Sequence, residues 1–117
     1  MPAHIVIVHD DADFLDMIEA ALGGAGDQVR TYCSALEALG GLDEPPPVDL
    51  LITHIHSPSV GENGIALARM ARRQNPDIKI LLVAALEFKD DVADLGTFLM
   101  APVSVPALLD AVDKLLA

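Results

Sequence analysis

The sequence predicts an α/β fold, a doubly wound sheet of five parallel strands with helices on both faces. Three observations carry this. Five short aliphatic or β-branched runs, at residues 5–8, 28–32, 48–55, 78–84 and 97–100, alternate with stretches of helical periodicity along the whole chain. The first of them, Ile5-Val6-Ile7-Val8, is continuously apolar instead of alternating, as in a strand buried on both faces. And 117 residues with 52% apolar content suffice for one core but not two. Strands that alternate with helices imply right-handed crossovers, and therefore a parallel sheet.

Each element has a local cause. After residues 5–8, Asp11-Ala12-Asp13 supplies helix-start chemistry, and Phe14, Leu15, Ile18, Ala21 and Leu22 follow at helical spacing. Gly23-Gly24-Ala25-Gly26 stops that helix. Because these glycines end a helix and do not open one after a strand, they form no phosphate-cradling loop for a flavin or dinucleotide. Residues 28–32 are the second strand. Ser34 with Glu37 three residues on is a capping-box pattern, opening a short helix that is expected to end at Gly40-Gly41. Pro45-Pro46-Pro47 is a stiff surface connector, since the residues before it are too few for a core of their own. Residues 48–55 form the third strand and 64–74 the third helix, stopped by Asn75-Pro76. Residues 78–84 and 97–100 are the last two strands, joined by a segment, 86–96, too short and acidic for a full crossover helix. Ser104 caps the final helix, with Pro106 in its first turn and Val105, Leu108, Leu109, Val112, Leu115 and Leu116 on one face. The whole chain, 1–117, is read as a single domain.

Composition removes several function classes. Eighteen acidic residues against seven basic ones give a formal net charge of −11. Such a surface repels phosphate backbones, and Arg69, Arg72 and Arg73 share one helix as a solvated face. Only Phe14, Tyr32, Phe88 and Phe98 are aromatic, so no base-stacking platform exists, and nucleic acid is not an expected partner. No apolar run reaches the roughly 18 residues of a membrane span, and the start has no basic flank before a long apolar stretch. With one cysteine, Cys33, no intrachain disulfide can form, and a cytoplasmic location is expected. Cys33 itself is expected to be a small buried or half-buried side chain without a basic neighbour to activate it.

In a doubly wound sheet, functional loops lie at the carboxyl ends of the strands. At those ends the chain resembles the response-regulator receiver family of two-component signalling, over nearly its whole length. The matching stretches are Ile5-Val6-Ile7-Val8-His9-Asp10-Asp11, residues 29–39, Asp49-Leu50-Leu51-Ile52-Thr53-His54-Ile55, and Phe98-Leu99-Met100-Ala101-Pro102. The resemblance implies a flavodoxin-like, receiver-like topology. It also implies a site: an acidic pair after the first strand, a phosphorylatable aspartate ending the third, a hydroxyl ending the fourth, and a lysine before the last proline. In family members the carboxylates hold Mg²⁺ through oxygen, the aspartate is the nucleophile, and metal and lysine neutralise the phosphoryl oxygens.

Little of that set is kept. His9 replaces the first acid, while Asp10 matches the second and Asp11 follows it. His54 stands at the phosphoacceptor position and is not expected to be phosphorylated. Ala84, Phe98 and Ala101 occupy the substituted switch positions, with Ala84 in place of the hydroxyl and Ala101 in place of the lysine. The turn over residues 57–64 reads as two residues longer than the family pattern, and 86–96 as several short of its fourth helix. The expectation is a pseudo-receiver: a stand-alone module that is not an enzyme, needs no Mg²⁺, and signals through protein contacts in a bacterial-type pathway. Residues 86–117 are the segment from which a homodimer or partner contact would be built.

Two other readings stay open. In one the chain is a conventional phosphorelay receiver whose acceptor is Asp10 or Asp49, although Asp49 begins its strand and should lie at the wrong sheet edge. In the other His9, Asp10 and His54, with Asp11 or His56, bind Zn²⁺ or Ni²⁺ or sense pH, because imidazole suits borderline cations and titrates near neutrality. The simpler arrangement is histidine filling a vacated acidic pocket, bonded to Asp10 or to backbone.

Overall fold

The computed structural model describes residues 3–9, 11–24, 26–42, 47–55, 58–84, 96–100 and 103–116, and of Ala35, Ile55 and residues 58–64 the backbone only. In chain order the elements are β1 (His4–Val8), α1 (Ala12–Gly24), β2 (Gln28–Tyr32), α2 (Ala35–Leu42), β3 (Leu50–Ile55), α3 (Pro58–Gln74), β4 (Lys79–Ala84), β5 (Thr97–Met100) and α4 (Val105–Leu116). The strands form one five-stranded sheet in the order β2-β1-β3-β4-β5, and every neighbouring pair is parallel. This is the doubly wound, flavodoxin-like arrangement. The chain runs outward from β1 to β2, then crosses back over β1 to β3, so the strand order reverses between β1 and β3.

The period-two alternation of side chains along each strand divides the core in two. Val6, Val8, Leu51, Ile80 and Leu82 face the α2 and α3 side, where they meet Ala38, Leu67, Ala68 and Ala71. Ile5, Ile7, Leu50, Ile52, Leu81 and Val83 face the other side, against Leu15, Ile18 and Leu22 of α1 and Leu108 and Val112 of α4. Each Leu or Ile so enclosed contributes about 1.5–3 kcal/mol of transfer free energy. The helical spacings in α1 and α4 are borne out by these contacts. So are the caps: Ser34 Oγ accepts from the Glu37 N–H (3.2 Å), and Ser104 Oγ from the Ala107 N–H (3.3 Å). Among the described residues, no helix is long and apolar enough to cross a membrane.

Strands β1 and β4 begin within one residue of expectation, at His4 and Lys79, and three other boundaries differ in ways that bear on packing. Helix α3 starts at Pro58, not at 64, so the stretch taken for a long turn is largely helical. Proline suits a first helical position, where its missing N–H has no partner to lose. Gly61 and Gly64 within it cost a helix only about 1 kcal/mol each, against the burial of Leu67, Ala68 and Ala71 further along. Helix α2 continues through Gly40-Gly41 to Leu42. Gly41 is there for contact: a Cβ would collide with the Tyr32 hydroxyl, and its carbonyl accepts from the Arg30 guanidinium at 3.0 Å. Strand β3 begins at Leu50, two residues later than expected, although Val48 is buried. The expectation of a shortened fourth helix over 86–96 falls, except for Gly96, outside the described residues.

Gly96 sets how closely the chain entering β5 approaches β4. A Cβ at this position would collide with the carbonyl oxygen of Ile80, which is backbone and cannot swing away. Gly96→Ala is expected to lower stability by about 1–3 kcal/mol in urea unfolding, the usual range for overpacking. An unchanged midpoint would show that this approach is not what Gly96 provides.

Candidate functional site

Parallel register decides which residues meet at the carboxyl edge of the sheet. Val8 lies opposite both Tyr32 and Thr53, so the residues that follow Val8 and Thr53 are neighbours at the switch point. Those residues are His9 and His54. Their ring centroids are 4.1 Å apart, tilted by 41°. His9 also stacks on Phe14 of α1, at 4.7 Å and 27°. The site is thus a column of three rings, Phe14, His9 and His54, assembled from α1, the end of β1 and β3. Ring contacts of this kind stabilise beyond the area they bury.

His9 is held on several sides. It is only 8% exposed. Its N–H donates to the carbonyl of Tyr32 (3.1 Å), and its Nδ1 accepts the N–H of Asp11 (2.8 Å). An accepting Nδ1 places the proton of the neutral ring on Nε2. Asp11 itself is used at the start of α1. Its Oδ1 accepts from the N–H groups of Asp13 (3.0 Å) and Phe14 (3.3 Å), and its carbonyl accepts from the Leu15 N–H (3.1 Å). An exposed N-cap satisfies helix donors that otherwise lack a partner, and its negative charge suits the helix dipole. The Asp11 cap also holds Phe14 where it can cover His9.

The other expected positions divide clearly. His54 is half-buried beneath the carboxyl edge, and Thr53, the residue before it, is fully buried on the opposite face of the sheet. Thr53 Oγ1 has no hydrogen-bond partner among the described residues. Ala84 is fully buried at the end of β4, between Ile55 and Met100 in register, and offers a methyl where a hydroxyl donor would be needed. Phe98 packs partly buried against the α2–α3 core. Asp49 lies at the far, amino edge of the sheet, with its Oδ2 accepting from the His4 N–H (2.9 Å). It is separated from His9 and His54 by the length of the strands. Asp10, His56 and Ala101 lie outside the described residues.

Phe14 is the member that sequence reasoning missed. By spacing alone it is one more apolar position of α1, yet its place three residues after the N-cap Asp11 puts it on the first turn, beside the end of β1. Cys33 corrects an expectation: it is exposed. It follows Tyr32, the last residue of an edge strand, and the bend there carries it outward. Arg72 is another correction, half-buried instead of lying on a solvated face.

Among the described residues no group of three or more His, Cys, Asp or Glu side chains is arranged to hold a metal ion. The Mg²⁺ ion that the fold family implies asks for hard oxygen donors. The donors offered here by His9 and His54 are imidazole nitrogens, and Nδ1 of His9 already accepts the Asp11 N–H. These residues do not fit Mg²⁺.

The chain is 31% identical over 117 residues to the response regulator receiver protein CpdR of Brucella abortus, spanning 96% of this chain and 95% of that protein. It is 33% identical over 79 residues to the DNA-binding transcriptional regulator NtrC of Klebsiella pneumoniae, where the match spans 68% of this chain but 16% of NtrC. A crystal structure of a CheY-like response regulator receiver domain protein from Methanospirillum hungatei superposes with a TM-score of 0.83 at 26% identity, covering 98% of this chain and 94% of that one. No family model matches.

Proposed function

Since the chain belongs to the response-regulator receiver family of two-component signalling, we propose that it is a pseudo-receiver, which signals by binding protein partners without accepting a phosphoryl group. One observation carries this reading: an imidazole, not a carboxylate, stands next to last in β3, with its ring centroid 4.1 Å from that of a second imidazole just after β1. Aspartyl phosphorylation needs a carboxylate nucleophile, a metal held by neighbouring carboxylates and a cation on the phosphoryl oxygens. The ring column supplies none of these, and Ala84 removes the hydroxyl that would couple the phosphoryl group to the rest of the fold.

In place of a carboxylate nucleophile and its metal, the described part of the switch point holds packed aromatic and imidazole rings. A phosphorylated receiver shifts between two states because a ligand binds one of them better. Without that ligand the surface presented to partners is constant, so output is set by the amount of protein and its partners. The partners proposed are proteins of a signalling pathway. Strand β5, at the sheet edge with Met100 55% exposed, and the adjoining α4 support this side of the molecule as a contact surface, for a partner or a second copy.

Beryllofluoride, which mimics a phosphoryl group on aspartate, tests the reading together with Mg²⁺. Amide NMR spectra are expected to show no saturable shift at His9, Asp11, Thr53 or Ala84 on adding both. Saturable, Mg²⁺-dependent shifts at these amides would contradict it.

A further inference from the structure

Two exposed helix faces, on opposite sides of the sheet, repeat one pattern with opposite charge. On α1 the face consists of Asp13, Asp16, Met17 and Ala20, and on α3 of Ala66, Arg69, Met70 and Arg73, all exposed. Each set occupies positions i, i+3, i+4 and i+7, which makes one continuous face about two turns long. The side of each helix turned to the core is buried, through Leu15, Ile18 and Leu22 in α1 and Leu67, Ala68 and Ala71 in α3. Both faces carry a methionine at i+4, Met17 53% exposed and Met70 40%. Among the described residues only Leu36 and Met100 are large hydrophobic side chains comparably open to solvent, so two of four such groups sit at the centres of these faces.

The charges around the two methionines are complementary. Arg69 and Arg73 are two of only seven basic residues in a chain of net charge −11. Arg73 suits the negative end of the α3 dipole, but Arg69 lies before the last turn. Among the described residues neither is drawn into an ion pair with its own chain, as Lys114 is with Asp110 (3.0 Å). Arg72 is half-buried and lies off this face.

We propose that the α3 face of one molecule docks on the α1 face of a second copy, with the two helices antiparallel. Because the spacings are equal, antiparallel pairing sets Asp13 against Arg73 and Ala20 against Ala66, with Asp16 and Met17 opposite Arg69 and Met70 between them. The alanines permit close approach at one end, the charges fix the register, and the flexible methionines fill the middle. Parallel pairing would instead set Asp13 against Ala66 and Arg73 against Ala20, leaving a charge unmatched at each end. Helices α1 and α3 cover opposite faces of the sheet. Each docked copy therefore still presents one face of each kind, and the contact propagates into rings or open chains instead of closing as a two-fold dimer. It is separate from the β5 and α4 side, and it does not depend on whether His54 accepts a phosphoryl group. Net charge opposes the approach at long range. Salt at about 0.1 M, with a screening length of about 10 Å, removes that repulsion and spares the contact pairs, whereas about 1 M weakens the pairs as well.

Sedimentation equilibrium of the intact chain, up to about 1 mM protein in about 0.1 M salt, tests the proposal. The average mass is expected to rise with concentration past that of a dimer, and to fall back toward 12.3 kDa in about 1 M salt. Asp13→Arg with Asp16→Arg and, separately, Arg69→Glu with Arg73→Glu should each weaken association at least about tenfold, because like charges then face each other. Mixed in equal amounts, the two variants should associate as well as the parent, since each reversed face meets its reversed complement. All four positions are exposed, so the fold is expected to survive, and recovery in the mixture could not come from a misfolded variant. A monomer at every concentration, a mass that stops at a dimer, or association that strengthens up to about 1 M salt would overturn the proposal. So would variants that associate like the parent, or a mixture no better than its components.

Discussion

A variant with His9→Asp, His54→Asp, Ala84→Thr and Ala101→Lys is expected to take up a phosphoryl group from acetyl phosphate in the presence of Mg²⁺. The four changes rebuild what transfer chemistry needs on a scaffold that already has the strand register for it. Val8 and Thr53 are paired, so aspartates at 9 and 54 would lie side by side at the switch point. Ala84 ends β4 next to them, and its burial leaves a threonine hydroxyl no direction but the pocket or the core. His54→Asp alone should react at least about 10²-fold more slowly, since removing a single preorganised electrostatic partner typically costs that much. Clustered carboxylates repel one another without a metal, so the fourfold variant should be less stable than the parent and should regain stability on adding Mg²⁺. A folded fourfold variant that acquires no adduct would mean that more than these side chains has been lost. A His54→Asp variant reacting as fast as the fourfold one would mean that the hydroxyl and lysine positions are immaterial.

Leu81→Ala is expected to cost about 3–5 kcal/mol, measured by urea unfolding followed by circular dichroism. Leu81 is fully buried in the middle of β4, between Ile52 of β3 and Thr97 of β5 in register. Its side chain belongs to the face where α1 and α4 are packed, with Ile18 and Leu108 in the same cluster. A strand held on both sides cannot move to fill the space, so the removed methyl groups leave a cavity as well as losing their transfer energy. Against the 5–15 kcal/mol typical of a whole domain, the loss would leave the variant marginal. A cost under about 1 kcal/mol would show that α1 and α4 can collapse onto the sheet, which the close-packed character of protein interiors argues against.

Much of this architecture was legible because strands and helices bury different periodicities. Ile5-Val6-Ile7-Val8 has no polar member, and only a central strand of a covered parallel sheet needs that. The spacing of Leu108, Val112 and their neighbours in α4 needs one helical face. From strand register alone it follows that whatever succeeds Val8 meets whatever succeeds Thr53, so the His9–His54 encounter was readable before any side chain was placed.

What was missed depended on tertiary contact. Gly40-Gly41 looks like a helix stop, but Gly41 makes room for the Tyr32 ring, a residue on another element. Pro58 through Gly64 looks like a turn by composition, yet helical backbone runs through it to the packed residues beyond. Cys33 is apolar enough to be buried, and only its place after an edge strand exposes it. Phe14 carries a helical spacing whether or not it covers a histidine; the N-cap at Asp11, which fixes where the first turn begins, decides that it does.

The most direct test of the central claim is the intact mass of the protein after incubation with acetyl phosphate and Mg²⁺. The ring column at the switch point predicts an unmodified mass at all times. A stoichiometric phosphoryl adduct would contradict the pseudo-receiver reading, and its survival in acid or in base would then tell an aspartyl phosphate from a phosphohistidine.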